Sequence, residues 1–438
     1  MSNAAVKYDY TGIERQPRKT EAELAVLRGT MVGKDPYSIP LADFDVAQAE
    51  IFRDFSMLKF FERLRKEEPV HYCRDSEFGP YWSVTKFNDI VAVDTNHQVF
   101  SSDAHLGGIA VAELECDFTL PMFIAMDPPK HDAQRKVVAP IVAPGNLAAL
   151  EHTIRERAIG LIDDMPVGEE FDWVDHISIE LTTQMLATLF DFPWEDRRKL
   201  THWSDVTTAR AGDGLIDSEE HRKQELLECL AYFTDLWNQR VNAEPKGDLI
   251  SMLAHGEATR HMDPMEYLGN IVLLIVGGND TTRNSITGGL LALNENPDQY
   301  DKLRANPDLI TSMVPEIIRW QTPLAHMRRT ALADIELGGK QIKRGDKVVM
   351  WYVSGNRDEE VIERPNEFII DRARPRHHLS FGFGVHRCVG NRLAEMQLSI
   401  VWQELLKRHP RIEVTQPPKR VLSSFVKGYQ EMMVRIPG

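Results

Sequence analysis

Cysteine is scarce in this chain. Its 438 residues hold four, Cys73, Cys116, Cys229 and Cys388, scattered without the spacing of a zinc site or a disulfide framework. That excludes a disulfide-stapled secreted domain and is the usage expected of a reducing cytoplasm. Long apolar runs are missing too: none nears the ~20 residues that span a bilayer, and the first residues, Met1 to Asp9, have no basic stretch followed by an apolar core. A soluble, cytoplasmic protein without a membrane anchor is expected. Positive charge is in deficit, with a formal net charge of −15, which argues against a nucleic-acid partner because phosphate binding needs a positive face. Low-complexity sequence is absent, and 42% hydrophobic residues is the composition of a globular enzyme.

The most informative stretch is 378–390, where Gly382, Gly384 and Gly390 punctuate a loop that delivers Cys388 to the start of a helix. Glycines let such a loop turn sharply and bring its main chain against a flat ligand. From Asn391 the apolar residues Leu393, Met396 and Ile400 recur at helical steps. Cys388 therefore precedes a helix N-terminus, where the helix dipole and the neighbouring Arg387 and Arg392 favour the thiolate that binds metal.

Upstream, residues 1–45 are polar and mixed in charge and read as an extension before a single domain over 46–438. Phe52, Phe55, Leu58, Phe61 and Leu64 predict one amphipathic helix over 52–66, and Val70–Cys73 with Tyr81–Thr85 a hairpin. The region 100–126 lacks periodicity and reads as a long functional loop. His131 and Arg135 stand four apart on one helix face. Helical patterns fill 145–240, broken at Pro193 and at the glycines 212 and 214, the latter expected to form a mobile lid.

Asp263-Pro264 with Glu266 predicts a capped helix start, with a capping box, and Asn296-Pro297 a stop, so one helix of about 30 residues crosses the molecule. In its middle Leu274, Gly277, Gly278 and Thr281 share one stripe, leaving a bare patch beneath a hydroxyl that suits a small ligand. Each glycine there costs about 1 kcal/mol relative to alanine. Glu316 and Arg319 are three apart on a further helix, which Pro315 is expected to kink or restart.

The pattern Phe381-x-x-Gly384-x-x-x-Cys388-x-Gly390, with His386 two residues before the cysteine, resembles the haem-ligand loop of the cytochrome P-450 monooxygenases. The stretch 277–281 resembles that family's oxygen-binding motif, and Glu316-x-x-Arg319 its structural pair. The resemblance spans the chain from about residue 45 onward and implies a mainly helical fold with a smaller β-rich part, haem lying between the long helix and the cysteine loop. It implies haem b with Cys388 as the iron ligand, and dioxygen as cosubstrate. His131, Arg135 and Arg329 are expected at the haem propionates, with Phe381, His386, Gly277 and Gly278 also around the cofactor. Asp280 and Thr281 are expected to deliver protons. Arg357 and Arg372 are both candidates for a third member of the Glu316–Arg319 network, because Glu367 stands where many relatives place an arginine.

Stretches 122–131, 274–285 and 368–372 look like the bacterial branch that hydroxylates alkanes and fatty acids at the chain end, with Met122, Phe123, Leu274, Leu324 and Phe425 in the segments that line its pocket. No flavin or reductase segment follows residue 438, so electrons are expected from NAD(P)H through a ferredoxin reductase and an iron–sulfur ferredoxin. Arg372, Arg374, Arg376, Arg387 and Arg392 supply a basic patch for it. Two rivals stand beside this reading: a peroxide-driven hydroxylase of the same fold, and a non-enzymatic haem-thiolate sensor.

Overall fold

The computed structural model describes residues 8–15, 19–113 and 118–438, so Cys116 lies outside the described residues. Its longest helix is Pro264–Glu295, 32 residues, which at ~1.5 Å per residue is roughly 48 Å. The Asp263 carboxylate accepts the N–H groups of Met265 and Glu266 at 2.9 and 3.0 Å, and Pro264 takes the first position, where a missing N–H costs nothing. The expected capping box does not form. Glu266 accepts instead from Lys130 (2.6 Å) and Gln134 on helix Lys130–Val138, because an almost buried carboxylate gains more from a cation and an amide on a neighbouring helix than from its own first turn.

The long helix is buried along most of its length and packs against helices Glu180–Phe190, Arg198–Thr208, Ile310–Gln321 and Asn391–Arg408. Around it lies the largest apolar cluster, with Trp173, Trp402, Phe190 and Phe233 fully buried. Helix Ile310–Gln321 runs through Pro315 where a kink or restart was expected. The ring removes one backbone bond, but Val314, Pro315, Ile317 and Ile318 are all buried, and that packing carries the helix across the gap.

The β part is smaller. One sheet has five strands in the order Val70–Cys73, Tyr81–Val84, Lys347–Met350, Met327–Ala331, Phe100–Ser101. The predicted hairpin forms its edge, with Val70 opposite Val84, and the second and third strands run parallel. Arg329 sits on the fourth strand, opposite Val348. A two-stranded hairpin turns at Gly338-Gly339.

Two expectations near the N-terminus are corrected. The helix over 52–66 is two helices, Ala49–Arg53 and Met57–Glu67, because Phe55 adopts a left-handed φ of 60° and Asp54 accepts the N–H of Ser56. The guanidinium of Arg420 lies 4.6 Å over the Phe55 ring and helps hold that conformation. The extension expected to end at residue 45 is not all surface: Met31, Ile39 and Phe44 are buried in the same cluster as Phe52, Phe60 and Trp351. Among the described residues, no single helix is long and apolar enough to cross a membrane.

Candidate active site

Cys388 is presented as the loop pattern required. The loop turns at Gly382 and Gly384, both with positive φ, and a Cβ at Gly384 would stand 2.6 Å from the Asp94 carbonyl oxygen, so only glycine fits. The Cys388 N–H donates to the Phe381 carbonyl at 2.8 Å, and helix Asn391–Arg408 begins three residues on. The sulfur is open to an interior cavity, deep among other atoms. Burial pushes the thiol pKa up, while the N–H groups of Gly390 and Asn391 and the charges of Arg135 and Arg387 pull it down. The net direction is upward, so the helix end and cations moderate the thiol rather than ionise it unaided. The cations are Arg135 and Arg387, not the expected Arg392.

Beneath the loop, Glu316 and Arg319 are fully buried and joined by two bonds of 2.8 Å. The third member of the network is Arg372, 2.9 Å from Glu316. Arg357 does not join it; its guanidinium stacks 3.7 Å over Trp320. Burial alone would raise the Glu316 pKa, but the two arginines and the Ile369 N–H hold it below the usual range. Arg319 also donates to the carbonyls of Asn356, Pro365 and Glu367. Asn356 passes this order to the cysteine loop: its side chain accepts the Leu379 N–H at 2.6 Å and donates to Ser380 Oγ at 2.9 Å.

At one edge of the cavity lie the groups expected at the propionates. Arg135 and Arg329 line its wall. The rings of His131 and His386 are 4.4 Å apart, His131 bonded to Asp132 and His386 to Ser102 Oγ. Their other nitrogens, His131 Nε2 and His386 Nδ1, are buried without a hydrogen-bond partner. Burial lowers both pKa values, His386 the more strongly, so both rings are neutral near pH 7. An unsatisfied buried polar atom costs about 1–3 kcal/mol and needs an explanation. Two of them beside two guanidinium groups and an accessible sulfur fit an iron porphyrin with carboxylate side chains.

Across the cavity, the two glycines of the long helix do different jobs. A Cβ at Gly277 would meet nothing within 4 Å, so this residue opens onto the cavity. A Cβ at Gly278 would stand 2.7 Å from Leu186 Cδ2, so this one serves helix packing. Thr281 stands on the cavity wall, its Oγ1 donating to the Gly277 carbonyl at 2.9 Å. Asp280 faces the other way. Its fully buried carboxylate accepts from Ser204 (3.0 Å) and Arg283 (3.0 Å), and Arg283 in turn holds the partly exposed Asp205 (2.6 Å). Burial raises the Asp280 pKa against the pull of Arg283.

The cavity has a volume of about 1350 Å³, and Met122, Phe123, Leu274, Leu324 and Phe425 all line it together with Cys388 and Thr281. Asn270, which sequence reasoning missed, fixes one wall by accepting the Phe123 N–H at 3.0 Å. The glycine-rich segment between helices Arg198–Thr208 and Glu219–Arg240 lies at the outer end, where Arg210 bonds Glu50 (2.8 Å) and Glu77 (2.9 Å) on the opposite wall. Arg210, in the segment expected to be a mobile lid, is thus held by two ion pairs. The basic patch is smaller than predicted. Arg372 is drawn into the Glu316 network and Arg376 pairs with Glu395 at 2.8 Å, while Arg374, Arg387 and Arg392 are exposed.

A family model described as "Cytochrome P450" matches residues 152–430. Linalool 8-monooxygenase of Pseudomonas putida is 38% identical over 384 residues, covering 85% of this chain and 94% of that protein. Methyl-branched lipid omega-hydroxylase of Mycobacterium bovis is 31% identical over 417 residues, 92% of this chain and 96% of that protein. Among solved structures, cytochrome P450-153 from Novosphingobium aromaticivorans superimposes with a TM-score of 0.84 at 46% identity, covering 89% of this chain and 98% of that one.

Proposed function

This chain belongs to the cytochrome P450 family, and from that premise we propose that it is a monooxygenase inserting one atom of dioxygen at the terminal carbon of a linear hydrophobic substrate, a medium-chain alkane or fatty acid. The observation that carries this reading is the shared cavity: five apolar side chains from four separate segments stand with Cys388 and Thr281 around one space.

Haem bound there supplies dioxygen activation and C–H oxidation. Cys388 would hold the iron, Arg135, Arg329, His131 and His386 would hold the propionates, and Phe381 would lie on the cysteine side of the group. Gly277 leaves the space that dioxygen needs. Thr281 Oγ1 holds a proton beside that space, and Asp280, the buried acid next to it on the helix, is the group that restores it once its carboxylate turns from Arg283 toward the cavity. A peroxide-driven hydroxylase needs no such pair of acid and alcohol. Electrons come from NAD(P)H through a reductase and an iron–sulfur ferredoxin, the latter docking on the face that bears Arg374, Arg387 and Arg392.

Terminal attack opposes intrinsic reactivity, because a methyl C–H bond is stronger than the methylene bonds beside it. Shape must impose the position. Leu324 and Phe425, packed with the sheet cluster, and Leu274 on the long helix line the same cavity, and their bulk narrows the approach. The name of the methyl-branched lipid omega-hydroxylase supports the same regiochemistry in a relative. The test is product analysis after turnover of linear alkanes and fatty acids with a ferredoxin, its reductase and NAD(P)H. Primary alcohols are expected to dominate, and predominantly mid-chain alcohols would overturn the terminal reading.

A further inference from the structure

Asp94 has no part in the site as derived from sequence, yet its carboxylate is one of the most heavily used in the molecule. It sits at the end of helix Phe87–Thr95 and is 2% exposed. Its Oδ1 accepts from Arg329 Nη2 at 2.8 Å. Its Oδ2 accepts from the Tyr352 hydroxyl at 2.9 Å and from the Phe383 N–H at 2.7 Å. The cysteine loop is moulded on this residue: a Cβ at Gly382 would lie 3.2 Å from Oδ2 and one at Gly384 2.6 Å from the Asp94 carbonyl oxygen. Asp94, Arg329, Tyr352 and Gly382 all line the cavity that Cys388 faces.

We propose that Asp94 is a positioning residue that joins the propionate arginine, Arg329, to the cysteine loop and sets the charge felt at the iron by partly neutralising that arginine. The proposal rests on the haem reading above. A buried carboxylate with three donors is stable where it is, and two roles follow from its bonds. As a clip it holds Phe383, and with it the loop that ends in Cys388. As a charge it opposes Arg329, whose guanidinium would otherwise act undiminished on the haem edge. An electron added to the iron is disfavoured by a negative charge nearby and favoured by an uncompensated positive one, and the low dielectric of the interior makes either effect large. The two roles read out differently: an amide offers one acceptor oxygen where the carboxylate uses two, so a loosened clip disturbs the carbon monoxide adduct, whereas removal of the anion raises the potential.

Redox titration of the haem in holoenzyme separates these roles in two variants, each checked first for the red-shifted carbon monoxide adduct of a thiolate-ligated haem. Asp94→Asn keeps the size of the side chain, gives up one of its two acceptor oxygens and removes the charge, so with the carbon monoxide adduct retained its reduction potential should rise. Tyr352→Phe removes one donor and leaves the carboxylate less screened, so its potential should move the other way and by less. An unchanged potential in Asp94→Asn with a normal carbon monoxide adduct overturns the proposal. Should Asp94→Asn fail to yield folded holoenzyme, Tyr352→Phe decides: a potential that stays or rises overturns it. Failure of the parent protein to bind haem would defeat the haem reading itself, a result distinct from either.

Discussion

The two walls of the cavity are built on opposite principles. On the cysteine side every polar atom of Glu316 and Arg319 is used, Asn356 relays their order to Leu379 and Ser380, and Asp94 grips the loop from above. On the long-helix side the decisive features are a side chain that is missing, at Gly277, and one that is apolar, at Leu274. Saturated hydrogen bonding fixes a loop in one geometry, as a metal ligand demands. Apolar walls can change residue by residue without unfolding the molecule, and this is where members of one family can diverge in substrate.

If this contrast is right, the largest effect belongs to the cysteine side. Glu316→Ala strands Arg319 as a buried, unpaired cation and frees the half-buried Arg372, and breaking such a buried pair costs about 3–5 kcal/mol. Denaturant unfolding should show that loss, together with reduced haem content.

Asp45 sharpens the contrast because it is a buried carboxylate that is not saturated: Tyr81 and Ala47 donate to Oδ1, but Oδ2 has no hydrogen-bond partner. Burial raises its pKa from 3.8 to about 6 against those two bonds. Between about pH 4 and 6 the folded protein therefore keeps a proton that the unfolded chain has released. Stability must fall as pH rises through that window, by about 3 kcal/mol for a shift of this size. Asp45→Asn should abolish this slope and be more stable than the parent at pH 7.5, measured by thermal unfolding across pH.

The glycine pair gives the next effect. Gly278→Ala should destabilise by about 1 kcal/mol, because the methyl group must displace Leu186. Gly277→Ala should gain a similar amount of helix stability and yet lose turnover, since it fills the space beside Thr281. Paired unfolding and activity measurements test both.

The smallest effect is one of partition. Leu324→Ala removes part of one apolar wall, and a pocket contact of methylene size is worth about 1–3 kcal/mol. Total oxidation should persist while the share of subterminal alcohol rises several-fold in product analysis.

Much of this was legible in the sequence, for reasons of locality. The loop at 378–390, the ends of helix Pro264–Glu295 and the pairing of Val70–Cys73 with Tyr81–Val84 are all written in residues close together in the chain. Asp94 lies 235 residues from Arg329 and 289 from Phe383, and no periodicity marks such a contact. Asn356 and Asn270 were invisible for the same reason. Glu266 failed as a capping residue because a partner on another helix outbid the local one, and the break at Phe55 is held by an arginine 365 positions away. Local patterns and the family resemblance marked residues that the structure brings to one cavity; the polar contacts that hold them came from the fold.

The claim that the cysteine side exists to hold one thiolate is tested most directly by the carbon monoxide difference spectrum of the reduced protein, parent beside Cys388→Ala. The parent should give the red-shifted adduct of a thiolate-ligated haem, and the variant should lack it along with all hydroxylation. A Cys388→Ala protein that still shows the red-shifted adduct would contradict the account.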